Sequence, residues 1–243
     1  MNFAAINIQS PMATRQFFFR AGSCDEGVIK QIFVDNDYAL NRLRRHPELM
    51  SFLERRSAGG LQPLVIDAGA NIGAASVYFS LAFPNALVVS VEPDLGNFEL
   101  LARNVAGLEI EPFHGAVASQ VGQVRVVDAG EGYWGFRTAA VDGSESAAQA
   151  VPSRRINDIY AACASRCFPF IVKVDIEGGE EDLFSANTEW VARTPVLIIE
   201  LHDWLLPGKA TSAPFLRCIA GMNRDFVHIG ENIFSIANDL DAL

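Results

Sequence analysis

The chain is most tightly constrained by an alternation that begins at Leu61, where short apolar runs of strand length are each followed by a segment with helical periodicity. LVID (64–67), ALVVSVE (86–92), EIEPF (109–113), FIVKVDI (170–176) and VLIIEL (196–201) read as strands. Helices are expected at 72–82, 95–105, 156–164, 180–186 and 215–222. Strands and helices that alternate in this way build a parallel sheet covered by helices on both faces. The last two apolar runs, DFVHI (225–229) and NIFSIA (232–237), are separated only by Gly230 and Glu231. A connection that short forces an antiparallel hairpin.

The preceding residues are of a different kind. Residues 28–34 (VIKQIFV) are expected to form a strand, and Asp37 to Arg56 a helix whose apolar stripe is interrupted by Pro47. Gly59 and Gly60 then mark a boundary, giving an N-terminal extension over 1–60, a lid or a dimer contact, and one catalytic domain over 61–243. A Gly-, Ala- and Ser-rich stretch from Asp128 to Ala150 reads as a long loop that closes over a substrate, with Tyr133 and Trp134 as candidate stacking residues.

Charge narrows the choice of partner. The net charge is −10, and residues after 60 carry eleven Lys and Arg against twenty-three acids. Such a surface repels a polyphosphate backbone, so no nucleic acid is expected as substrate. No apolar run approaches the ~20 residues of a membrane span. The four cysteines lack the spacing of a zinc site or a disulfide framework, which suits a reducing cytoplasm, and no metal is assigned.

Three motifs carry the chemistry. VIDAGANIG (65–73) puts Asp67 at the end of the first strand of the alternation, then Gly69 and Asn71 in a sharp turn, then Gly73 at the start of a helix. Only two of the three glycines of a dinucleotide fingerprint are present, and an acid at Asp67 repels a pyrophosphate. A cationic ligand without phosphate fits better. Nineteen residues beyond Gly73 the next strand ends at Glu92, placed to accept hydrogen bonds from both hydroxyls of a ribose. IVKVDIEGGE (171–180) ends a third strand in Asp175 and Glu177. Beside the first strand, Asp175 and Asp67 would flank the point where strand order reverses, with Lys173 neutralising them. Glu200 and His202 alternate onto one face at the end of VLIIEL. His202, Asp175 and Glu177 are therefore candidate bases, and His114 a candidate contact to an adenine edge.

Taken together, VIDAGANIG, SVEPD, IVKVDIEGGE and LIIELH resemble the FkbM family of methyltransferases between about Leu64 and His202. The resemblance implies a class I, Rossmann-like fold: a doubly wound, mostly parallel seven-stranded sheet with a C-terminal antiparallel hairpin. It implies S-adenosyl-L-methionine as cofactor, held at Asp67, Gly69, Asn71, Gly73, Glu92 and Asp175, and a hydroxyl of a small metabolite, sugar, lipid or polyketide as acceptor. EGYWGFR (131–137) departs from the family's usual loop. The rival readings are a nicotinamide-dependent oxidoreductase, which wants the missing glycine, and a non-catalytic domain that binds the cofactor or a partner.

Overall fold

The computed structural model describes residues 3–9, 14–128, 136–140 and 150–243. Its centre is a seven-stranded sheet. The strands are β3 (Gln62–Ala68), β4 (Leu87–Glu92), β5 (Ile110–His114), β10 (Cys167–Val174), β11 (Val196–Glu200), β12 (Arg224–Ile229) and β13 (Asn232–Ala237). They lie in the order β12-β13-β11-β10-β3-β4-β5. Five neighbouring strands are parallel, and the hairpin inserts β13 antiparallel between β11 and β12. This is the expected doubly wound class I plan. The chain winds outward from β3 to β5, returns to β10 on the other side of β3, and so leaves a switch point between them.

Alternation along these strands divides the interior in two. Val65, Val88, Ile171, Val196 and Ile198 face one core, with α2 (His46–Ser57), α3 (Ala74–Ala82) and α4 (Leu95–Val105) over it. Leu64, Ile66, Val89, Val172, Leu197 and Ile199 face the other, beneath α5 (Ile156–Cys163), α7 (Glu189–Ala192) and α8 (Ala213–Ile219). Both faces of the central strands are buried, which is why they read as nearly continuous apolar runs.

The N-terminal residues differ from expectation. Phe3–Gln9 (β1) and Thr14–Arg20 (β2) form an antiparallel hairpin. VIKQIFV is helical rather than extended: α1 (Asp25–Ile29) runs into a π-helical turn over Lys30–Val34. The β-branched residues suggested a strand, but Ile29 and Ile32 are buried three apart and Val28 and Phe33 pack beside them, a helical spacing. Pro47 begins α2 instead of interrupting it, since its missing N–H costs nothing at the first turn. Ile8, Phe17, Leu49 and Phe52 share a core with the sheet. Asn104 fastens the hairpin to α4: its amide bonds the Phe18 N–H at 2.7 Å and the carbonyls of Phe18 and Ile72 at 2.9 and 2.8 Å.

A second sheet was not expected. β6 (Ala116–Val117), β7 (Gly122–Asp128), β8 (Phe136–Ala140) and β9 (Ala150–Arg154) lie in the order β6-β9-β7-β8. The stretch read as one loop therefore contains β8, paired antiparallel with β7. Tyr133 and Trp134 lie outside the described residues. Among the described residues no helix is long and apolar enough to cross a membrane.

Arg224 ties the edge hairpin to the body of the sheet. Its buried guanidinium donates to Ser235 Oγ and Ser235 O at 2.8 Å and to Thr194 O at 2.9 Å, and burial pushes its pKa down to about 10. Arg224→Met should keep the bulk while leaving these acceptors unpaired, lowering stability by about 2–3 kcal/mol in urea unfolding. An unchanged midpoint would mean that the hairpin is held by its apolar face alone.

Candidate functional site

The switch point is built around an ammonium group. Register sets Lys173 on β10 opposite Asp67 on β3. Lys173 Nζ lies 3.1 Å from Asp67 Oδ1, as an ion-pair contact, and 3.4 Å from Asp175 Oδ2, and it donates to Gly69 O at 2.7 Å. Burial alone would push the ammonium down, but the two carboxylates outweigh it and hold its pKa above the ordinary lysine value. Asp67 is fully buried, and Ser76 donates to its second oxygen at 2.6 Å. It stands behind the wall of the site.

The glycine turn follows from close approach. Gly69 has φ +77°, and a Cβ there would sit 1.7 Å from the carbonyl oxygen of Asp175. The neighbouring chain itself therefore demands glycine, so Gly69→Val would disturb the fold as well as any ligand. Gly73 begins α3 with φ +88°, where a Cβ would press on Leu101. Asn71 takes the left-handed turn at φ 49° and does not cap the helix.

In front of this turn lies a cavity of about 260 Å³. Gly69, Asn71, Glu92, Asp175 and Glu177 line it, whereas Asp67, Gly73 and His114 do not. His114 instead stacks on Phe98 and places Nε2 3.1 Å from Pro93 O. Glu92 accepts from the N–H groups of Asn71 and Asp94 at 2.8 and 2.9 Å. Burial nevertheless raises its pKa to about 7. Asn71 Oδ1 is buried and has no hydrogen-bond partner among the described residues, a state that a ligand donor would relieve. With Glu92 beside it, this end suits a ribose diol or an amine. Val28, Gln31, Ile32 and Tyr38 of the N-terminal residues also line the cavity; a lid was one of the roles expected of this extension, but none of these residues was singled out.

The other end is acidic. Glu200 and Trp204 line it beside Asp175 and Glu177. Behind them His202, only 1% exposed, donates from Nδ1 to Glu180 Oε1 at 2.9 Å. Glu180 is equally buried and accepts from the N–H groups of Ile176 and Gly178, so one carboxylate both shapes the IEGGE turn and aims the imidazole. Glu180 was missed in the sequence because its spacing marks only a turn. Its partner is 22 residues away. Burial pushes His202 down, but Glu180, Asp175 and Glu177 together raise it to about 9. Burial and the charge of Asp175 raise Glu177 to about 7 and Glu200 to about 8. At neutral pH the imidazole of the ligand-free site is thus a cation, and the carboxylates are the groups poised to take a proton.

The profile described as Methyltransferase FkbM domain matches residues 67–225. The chain belongs to this family. No curated protein sequence matches it significantly. Among solved structures, the bifunctional kinase-methyltransferase WbdD is similar over 80% of this chain and 39% of its own, with 14% identity and a TM-score of 0.41. A mutant of MtNAS in complex with S-adenosylmethionine shares 14% identity over 81% of this chain and 63% of its own, with a TM-score of 0.37. A precorrin-6y C5,15-methyltransferase from Geobacter metallireducens GS-15 shares 12% identity over 82% and 90%, also at 0.37. These are distant resemblances, and the chain spans about two fifths of the length of the WbdD chains. The FkbM match includes the glycine turn, Glu92, the IEGGE turn and His202, and excludes the N-terminal residues that complete the cavity wall.

The raised groups have a consequence for stability. The folded protein holds protons on Glu92, Glu177, Glu200 and His202 at pH values where an unfolded chain, with carboxyls near 4.5 and imidazole near 6.5, has lost them. Their contribution is complete below those ordinary values and is lost as pH rises through about 7 to 9. The ligand-free protein should therefore melt several degrees lower at pH ~9 than at pH ~6, with each kcal/mol worth about 2–4 °C at this size. Glu92→Gln should flatten part of that slope in calorimetry. A melting temperature that climbs over this range would contradict the cluster as described.

Proposed function

We propose that this FkbM-family chain is an S-adenosylmethionine-dependent O-methyltransferase acting on a hydroxyl of a small molecule such as a sugar, lipid or polyketide. The observation that carries the reading is one cavity with two unlike ends. Glu92 and the unpaired Asn71 oxygen lie at one, and carboxylates that titrate near neutrality lie at the other.

When bound, S-adenosylmethionine supplies a methyl group activated by a sulfonium. Glu92 accepts from the ribose hydroxyls while keeping its bonds from Asn71 and Asp94, and the bound diol favours the ionised carboxylate. The acidic lining offsets the positive charge of the sulfonium and amino group, and Tyr38 and Ile32 help exclude water. An alcohol is a poor nucleophile, so its proton needs a nearby acceptor as the oxygen begins to bond. Glu177 lines the cavity and ionises near pH 7, so it takes that role. His202, turned toward three carboxylates, positions them. Asp67, behind the wall, holds Lys173 at the floor of the site.

The test is methyl transfer from labelled cofactor to a panel of hydroxyl compounds. Glu92→Ala should weaken cofactor binding by about 1.5–3 kcal/mol in calorimetry, the scale for hydrogen bonds to a charged group. Glu177→Gln should leave that affinity nearly intact and lower turnover by roughly 10²–10⁴. In the parent protein turnover should rise with pH through about 7, and this rise should vanish in Glu177→Gln. Label appearing only on amines, or turnover indifferent to Glu177, would defeat the assignment.

A further inference from the structure

His202 is buried to 1% exposure, and its two ring nitrogens are held differently. Nδ1 is fixed by Glu180. Nε2 has no hydrogen bond among the described residues and points at three carboxylates, standing 3.5 Å from Asp175 Oδ1, 3.5 Å from Glu177 Oε2 and 3.5 Å from Glu200 Oε1. Lys173 faces the other oxygen of Asp175 and is shared with Asp67.

An imidazole held by a carboxylate at one nitrogen, with the other presented to further oxygens, is the arrangement that orients histidine for a metal ion. Donor atoms around one ion at about 2.1 Å stand roughly 3.0–3.5 Å from one another in octahedral or tetrahedral arrangements. Here one donor atom each from Asp175, Glu200 and His202 lie within 4.8 Å of one another. Small side-chain rotations close that gap. Glu180 and the turn it braces keep the imidazole in place meanwhile.

We propose that Asp175, Glu200 and His202 bind a divalent cation of the manganese type, although the sequence pattern suggested no metal. Two carboxylates and one imidazole are too oxygen-rich for a zinc site built from thiolates and imidazoles, and the nitrogen disfavours magnesium or calcium. Binding at Nε2 releases the proton that the ligand-free imidazolium carries there, and three protein donors leave coordination positions facing the cavity. In a role that rests on the methyl-transfer reading above, one position takes the acceptor hydroxyl and lowers its pKa. The O–H bond then breaks, its proton going to the Glu177 carboxylate. The oxygen's electron pair forms the bond to the methyl carbon. The sulfur–carbon pair returns to sulfur, leaving a methyl ether and a neutral thioether.

The full-length protein, stripped of metal and without cofactor, is titrated with Mn2+ while electron paramagnetic resonance reads the free ion. One ion per chain is expected. His202→Gln and Glu200→Gln should weaken uptake at least tenfold, and Glu111→Gln, a surface change, should not alter it. Electron spin echo of the Mn2+-loaded parent should show nitrogen modulation from one directly bound imidazole, which decides the matter even if a variant does not fold. Absence of uptake, uptake indifferent to both variants, or bound Mn2+ without that modulation overturns the proposal. Glu92→Ala separates it from the methyl-transfer reading, since this variant should lose cofactor affinity and keep Mn2+. Mn2+ bound at His202 without methyl transfer to any hydroxyl would sink the functional reading alone. Full transfer in chelated protein that takes up no ion would sink the cation site alone.

Discussion

The Lys173 ammonium, buried between Asp67 and Asp175 and bonded to Gly69 O, joins the two strands on which the site is built. Asp67 lies at the end of β3, the strand that opens the outward half of the winding, and Lys173 and Asp175 belong to the returning half. Two carboxylates facing one another across parallel strand ends would repel. A shared cation offsets that repulsion and draws the strand ends together. Removing one partner of such a buried set typically costs about 3–5 kcal/mol, because it strands the remaining charge. The close passage of Gly69 beneath the Asp175 carbonyl depends on the same junction, and the turn it permits carries Asn71 to the cavity.

From that junction the site divides by strand. β3 and β4 deliver the neutral turn and Glu92, while β10 and β11 deliver carboxylates that crowd one another and His202. The crowding is held in place by Glu180, which spends its two oxygens on the backbone of its own turn and on the imidazole. Carboxyl groups packed in this way keep their protons to higher pH than free ones do, so they are suited to exchange protons near neutrality or to share a cation. A preference of this kind comes from the fold, since each group taken alone would titrate far lower.

The N-terminal residues belong to the same physical argument. Apart from the family match, they supply Val28, Gln31, Ile32 and Tyr38 to the cavity, and their apolar faces share the core beneath α3 and α4. Arg20 reaches across to Asn97, which lies within 3.5 Å of Glu92. Changes in the hairpin are thus passed to the Glu92 end of the cavity through two side chains.

The sheet was legible in the sequence because strands buried on both faces must be apolar along their length, and because Gly230 and Glu231 allow only a tight reversal. That Glu92, Asp175 and Glu177 line one cavity was legible because acids at strand ends, next to glycine turns, are rarely there for packing. VIKQIFV misled because β-branched residues serve a buried helical turn as well as a strand, and only the neighbouring core decides between them. The second sheet was hidden by the small, polar residues around β8. Sequence order also could not show that His202 turns to Glu180, that Asp67 faces Lys173 instead of the cavity, or that Tyr38 closes the wall. Those relations join residues far apart in the chain, and they are set by register and packing, which exist only after the strands have assembled.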